Sequence, residues 1–74
     1  MKSKRHMYQQ YQSIELARDL NEVLKQGMRG VILEVWDSEN YEVEFLDEDG
    51  FNYEYNGQGI FTLTSKDLTP IKTI

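Results

Sequence analysis

The run Tyr41-Glu42-Val43-Glu44-Phe45-Leu46-Asp47-Glu48-Asp49-Gly50 decides the fold class. Its first five residues alternate apolar and acidic, so Tyr41, Val43 and Phe45 share one face and Glu42 and Glu44 the other. That is the pattern of a strand with one face buried and one in water. Asp47 to Gly50 then reads as a hairpin turn, because Gly50 takes a positive φ without a Cβ clash.

Upstream, Gly27-Met28-Arg29-Gly30 is a glycine-punctuated turn feeding Val31-Ile32-Leu33-Glu34-Val35-Trp36, a run rich in β-branched residues. Simple alternation puts Val31, Leu33 and Val35 on one face and Ile32, Glu34 and Trp36 on the other. Asp37-Ser38-Glu39-Asn40 is a turn cluster. Downstream, Phe51-Asn52-Tyr53-Glu54-Tyr55 alternates again and reads as a strand with three aromatics on one face. Asn56-Gly57-Gln58-Gly59 reads as a turn, and Ile60 to Thr64 as a strand with Phe61 and Leu63 inward. Ser65 to Leu68 reads as one tight helical turn capped by Ser65. Pro70 ends that turn, and a short last strand begins at Ile71.

The first third of the chain is ambiguous. Tyr11, Ile14, Ala17, Leu20 and Leu24 recur at helical spacing, whereas Ser13-Ile14-Glu15-Leu16 alternates like a strand. A strand over about 13–17 followed by a loop to Lys25 is favoured; an amphipathic helix over 8–25 is the alternative. Residues 1–10 read as a flexible, disordered tail and 11–74 as a single domain. Short strands at this spacing bury their apolar face and their edges best by curling the sheet closed, so an all-β, five-stranded barrel with one helical turn is expected.

Seventy-four residues make one domain, and no cysteine is present to supply a disulfide or a thiolate site. Stability of on the order of 3–5 kcal/mol is expected at this size. The formal charge of −5 conceals an asymmetry. Lys2, Lys4 and Arg5 lie in the tail, and from Met7 onward five basic residues face all thirteen acidic ones. Such a surface repels phosphate and suits a basic protein partner. No apolar run approaches a membrane span and none has signal-peptide character, so a cytoplasmic location is expected.

Catalytic groups are sparse. His6, the one histidine, lies in the tail, and no serine has a histidine within the domain to activate it. Glu42 and Glu44 alternate outward into water, a poor setting for acid–base catalysis. Asp47, Glu48 and Asp49 do not have the spacing of a calcium loop. Gly27-Met28-Arg29-Gly30 lacks the lysine of a P-loop. The residues therefore imply no enzyme, no cofactor and no metal.

The order of these elements resembles the SH3-like barrel superfamily, including its KOW-type members, with Gly27, Gly30, Val31, Leu33 and Val35 in the KOW-type glycine and strand pattern. A closer resemblance is to a family of short bacterial proteins known as a domain of unknown function. Asp19, Leu20, Leu24, Gly27, Gly30, Ile32, Glu34 and Val35 match its first half. Tyr41, Val43, Glu44, Phe45, Asp47, Gly50, Leu63, Leu68 and Pro70 match the rest. The stretch Tyr53 to Gln58 departs from that pattern in being longer and more polar. The resemblance implies architecture and no chemistry.

What remains is binding. Trp36, Tyr53 and Tyr55 are the expected contact residues, since tryptophan and tyrosine dominate interface hot spots. Glu42, Glu44, Asp47 and Asp49 would steer a basic partner. The expectation is an acidic, non-enzymatic protein-binding module of accessory, antitoxin or immunity type. A KOW-like nucleic-acid or ribosome-associated domain is the first alternative, with Lys25, Arg29, Tyr53 and Tyr55 as its face. A homo-oligomeric protein, for instance a homodimer through an exposed strand, is the second.

Overall fold

The computed structural model describes residues 8–37 and 39–71. Five strands form one antiparallel sheet: β1 (Ser13–Leu16), β2 (Arg29–Val35), β3 (Asn40–Phe45), β4 (Phe61–Thr64) and β5 (Leu68–Pro70). Their order across the sheet is β4-β3-β2-β1-β5. The two edge strands are nevertheless joined by a single 3-10 turn, Ser65–Asp67. A flat five-stranded sheet would hold its edges about 19 Å apart, and a three-residue turn rising about 2 Å per residue cannot cover that. The sheet therefore curls into a half-barrel, and the chain is mainly β as its alternating runs imply.

The core is the concave side: Ile14, Leu16, Ile32, Tyr41, Val43, Phe45, Phe61, Leu63 and Leu68. Strand β3 alternates as its sequence does, with Tyr41, Val43 and Phe45 fully buried. In β2 the register shifts between Ile32 and Glu34, a β-bulge. Ile32 is the buried residue and pairs with Val43, while Val35, beyond the bulge, pairs with Tyr41. The expected common face of Val31, Leu33 and Val35 is thus corrected: one extra residue in the strand swaps the faces partway along.

The helix alternative over 8–25 is not formed among the described residues; Ser13–Leu16 is a strand and an irregular loop follows it. Within that loop, Asn21 Oδ1 accepts the backbone N–H groups of Val23 and Leu24, and Leu24 is driven into the core. The helical spacing of Leu20 and Leu24 thus reflects a loop anchor. Tyr8, which reads as part of the tail, is buried; its ring meets that of Tyr41 edge to face at 5.5 Å. Lys2, Lys4, Arg5 and His6 lie outside the described residues, as does Ser38 of the turn cluster.

Phe51 to Tyr55 is not a strand. Asn52 bridges Leu46, and the Tyr53 N–H donates to the Phe45 carbonyl, but pairing stops there. Residues 54–59 leave the ladder, with Tyr55 and Gln58 bridged across Asn56 (φ 54°) and Gly57 (φ 76°). Both central φ values are positive, which defines the type I′ hairpin turn that an Asn-Gly pair favours. The chain rejoins the edge of β3 as β4. The ends of the sheet also differ from the sequence reading. The 3-10 turn is capped by Thr64 and Asp67, not by Ser65, because Asp67 Oδ2 accepts the Thr64 backbone N–H at 3.0 Å. The last strand begins at Leu68 and contains Pro70, which an edge strand tolerates since its missing N–H faces away from the ladder.

Candidate functional site

The convex face of the sheet carries the outward half of each strand. Glu34 and Glu42 stand directly opposite each other across β2 and β3, and Thr62 is opposite Glu42 on β4. Glu44 is opposite Val31, and its Oε1 accepts a 2.9 Å hydrogen bond from Asn52 Nδ2. Trp36 follows Glu34 by two positions, so alternation places it on this same face, and it is 60% exposed. Its backbone N–H donates to Asn40, which closes the β2–β3 hairpin beneath it.

Among the described residues no cation is paired with these carboxylates. The ion pairs there are Arg18–Asp67 and Lys25–Asp19, both in or beside the loop after β1. Arg29 is opposite Glu15. Both cations of the nucleic-acid reading, Lys25 and Arg29, therefore lie beside acidic residues. Glu34 against Glu42 is a like-charge pair in the position where such pairs destabilise a sheet.

The other expected contact residues fall elsewhere. Tyr53 and Tyr55 are half-buried and pack against the core. Tyr53 bonds to Phe45 at one end of β3, whereas Trp36 bonds to Asn40 at the other. Five residues of extended strand separate those anchor points, about 17 Å. Trp36 and Glu42 thus come together; Glu44 shares their face but lies toward the other end of β3, bonded to Asn52, and the tyrosines do not join Trp36. Asp47 builds the hairpin turn, since its Oδ1 accepts the backbone N–H groups of Asp49 and Phe51. Asp49 is exposed at the tip of that turn. Sequence reasoning missed Glu34. The alternation Glu34-x-Trp36 puts those two on one face, but only the bulge aligns Glu34 with Glu42.

The sheet edges offer little to an incoming strand. On β4, odd-numbered residues bond to β3, which turns the backbone of Ile60, Thr62 and Thr64 toward the free edge. There the Ile60 carbonyl accepts from the Gln58 side chain, and the Thr64 N–H donates to Asp67. On β5, the backbone of Leu68 and Pro70 turns toward the free edge while the Leu68 side chain stays in the core; the Leu68 N–H bonds to the Ser65 carbonyl and Pro70 has none. Both edges are short and partly capped, a common defence against strand addition.

Among the described residues no three His, Cys, Asp or Glu side chains gather as a ligand set, and no helix is long and apolar enough to cross a membrane. What the arrangement defines is a small curled β-sheet domain with a charged convex face. The chain belongs to the family described as Domain of unknown function (DUF4926), whose model matches residues 11–70. Neither a curated protein nor a solved structure matches it.

Proposed function

We propose that this domain is a non-catalytic, SH3-like binding module that receives a basic segment of a protein partner on its convex face. The SH3-like assignment is supported by the order of the five strands and by the 3-10 turn that joins the two edges. The observation that carries the function is Glu34 opposite Glu42 beside an exposed Trp36. Folding alone is better served by almost any uncharged pair at those positions. A bound lysine or arginine would relieve the repulsion, and an aromatic ring next to paired carboxylates is a suitable seat for such a side chain. The capped edges favour binding through the face over strand addition.

Affinity capture of the tagged chain from a lysate of its own organism tests this, with and without nuclease and with Trp36→Ala and Glu42→Gln as parallel baits. The expected result is a stoichiometric protein that survives nuclease, is lost with either variant and is released by salt. Recovery of ribosomal or nucleic-acid-bound proteins that vanish with nuclease would replace this reading with the KOW-type one.

A further inference from the structure

Four asparagines lie in the chain: Asn21, Asn40, Asn52 and Asn56. Three have their side chains engaged. Asn21 Oδ1 accepts two backbone N–H groups, Asn40 Nδ2 donates to the Asp37 carboxylate, and Asn52 Nδ2 donates to Glu44. Each of these three is followed by a residue with a long side chain: Glu22, Tyr41 or Tyr53. Asn56 is different in every respect. It is exposed, its amide has no hydrogen-bond partner among the described residues, and glycine follows it.

We infer that Asn56 is a site of spontaneous covalent modification, the conversion of its amide through a cyclic imide to aspartate and isoaspartate. The backbone nitrogen of Gly57 attacks Asn56 Cγ; a C–N bond forms, the Cγ–Nδ2 bond breaks and ammonia leaves. Water then adds to either carbonyl of the five-membered imide and opens it, so one water is consumed and one ammonia released. No oxidant or cofactor enters.

The structure favours this at Asn56 and disfavours it at the similar pair Asp49-Gly50. The nucleophile there, the Gly50 N–H, is held by the Asp47 carbonyl at 3.0 Å. The Gly57 N–H sits at the second central position of the Tyr55–Gln58 turn, whose two hydrogen bonds use only the N–H groups of Tyr55 and Gln58. A Cβ placed on Gly57 meets nothing within 4 Å, so no neighbouring segment packs on the Cβ side of that residue. The site lies in the 54–59 excursion, outside the main sheet ladder. The sheet therefore tolerates either product. Aspartate is accepted in a left-handed turn position, but isoaspartate adds a backbone methylene between Tyr55 and Gln58 and breaks their bridge. Either product also adds a negative charge close to Glu54.

The test is incubation of the full chain at mildly alkaline pH and 37 °C, followed by peptide mapping that separates aspartate from isoaspartate. A urea-unfolded sample serves as the reference. Conversion is expected at position 56 ahead of the other three asparagines, with a rate that rises with hydroxide concentration. The Tyr55 and Gln58 amides should exchange faster in the aged protein while those of β3 stay protected. An Asn56 amide that persists in the folded chain while the unfolded sample converts would overturn the inference, as would earlier conversion of Asn21, Asn40 or Asn52. Asn56→Asp should reproduce the charge change but keep the Tyr55–Gln58 bridge; loss of the bridge in that variant would also count against it.

Discussion

Gly30 and Phe45 are register partners on β2 and β3, and a Cβ on Gly30 would lie 2.7 Å from the Phe45 Cδ1 atom and 2.7 Å from the Glu44 carbonyl oxygen. Both distances are below any real contact. The Phe45 ring is fully buried and cannot swing aside without moving its neighbours. Gly30→Ala should therefore cost about 1–3 kcal/mol, the range for overpacking a dense core. Urea denaturation should show a lowered midpoint with an unchanged slope. An unaltered midpoint would mean that the β2–β3 approach is looser than described.

Asp67 links three elements. Its Oδ1 accepts from Arg18 Nε at 2.7 Å, and its Oδ2 accepts from the Thr64 N–H. Burial alone would raise its pKa, but the Thr64 and Arg18 hydrogen bonds and the Arg18 charge outweigh that and hold it below the ordinary carboxylate value. A depressed folded-state pKa contributes stability above the unfolded pKa, about 3.9, and that contribution is lost as pH falls through the folded value. Wild-type stability should thus decline below about pH 4, and Asp67→Asn should flatten that acid limb. Because the Arg18 side chain is 65% exposed, Arg18→Gln should cost only about 1 kcal/mol. Melting curves from about pH 2 to pH 7 for the three proteins would check both statements.

Relieving Glu34 and Glu42 should stabilise the fold. Glu42→Gln keeps the size of the side chain and removes the repulsion, for a gain of about 0.2–1 kcal/mol. Wild type should also gain stability as salt rises from about 0.1 M to 1 M, because the screening length falls from about 10 Å to 3 Å. The variant should gain less. A destabilised Glu42→Gln would mean that the carboxylate makes a favourable contact, and the case for a basic partner at this face would lose its main support.

How much of this was legible in the sequence depended on whether a residue's environment was local. Strand β3 reads directly, since its alternation and its burial follow the same period of two. So do Phe61 and Leu63, and the positive φ of Gly50. The β2 bulge was not legible. Val31-Ile32-Leu33 is apolar at three consecutive positions, so the pattern tolerates either face and only pairing with β3 selects Ile32. Nor was Tyr8, whose burial depends on the distant Tyr41. At the candidate site, parity alone groups Trp36 with the buried Ile32, and only the bulge turns it outward with Glu34; grouping it with Tyr53 and Tyr55 failed because those tyrosines belong to a segment that only begins as a strand.

That segment has an arithmetic that can be tested. Leu46 is opposite Asn52, and Val43 is opposite Phe61. Three residues along β3 thus correspond to nine on the facing chain, so six residues, 54–59, are looped out. Tyr53 faces Phe45, and Ile60 continues at the position opposite Glu44. Deleting 54–59 should join Tyr53 to Ile60 in one unbroken strand, with Phe61 and Leu63 still inward because an even number of residues was removed. The deletion loses the packing of the half-buried Tyr55 but shortens the connection, so the net change should stay within about 2 kcal/mol. Deleting 55–59 removes an odd number and turns Phe61 and Leu63 outward, which should abolish folding. Circular dichroism and chemical denaturation of the two deletions separate the cases. Equal behaviour of the pair, folded or unfolded, would show that residues 51–53 and β4 do not share one edge of β3.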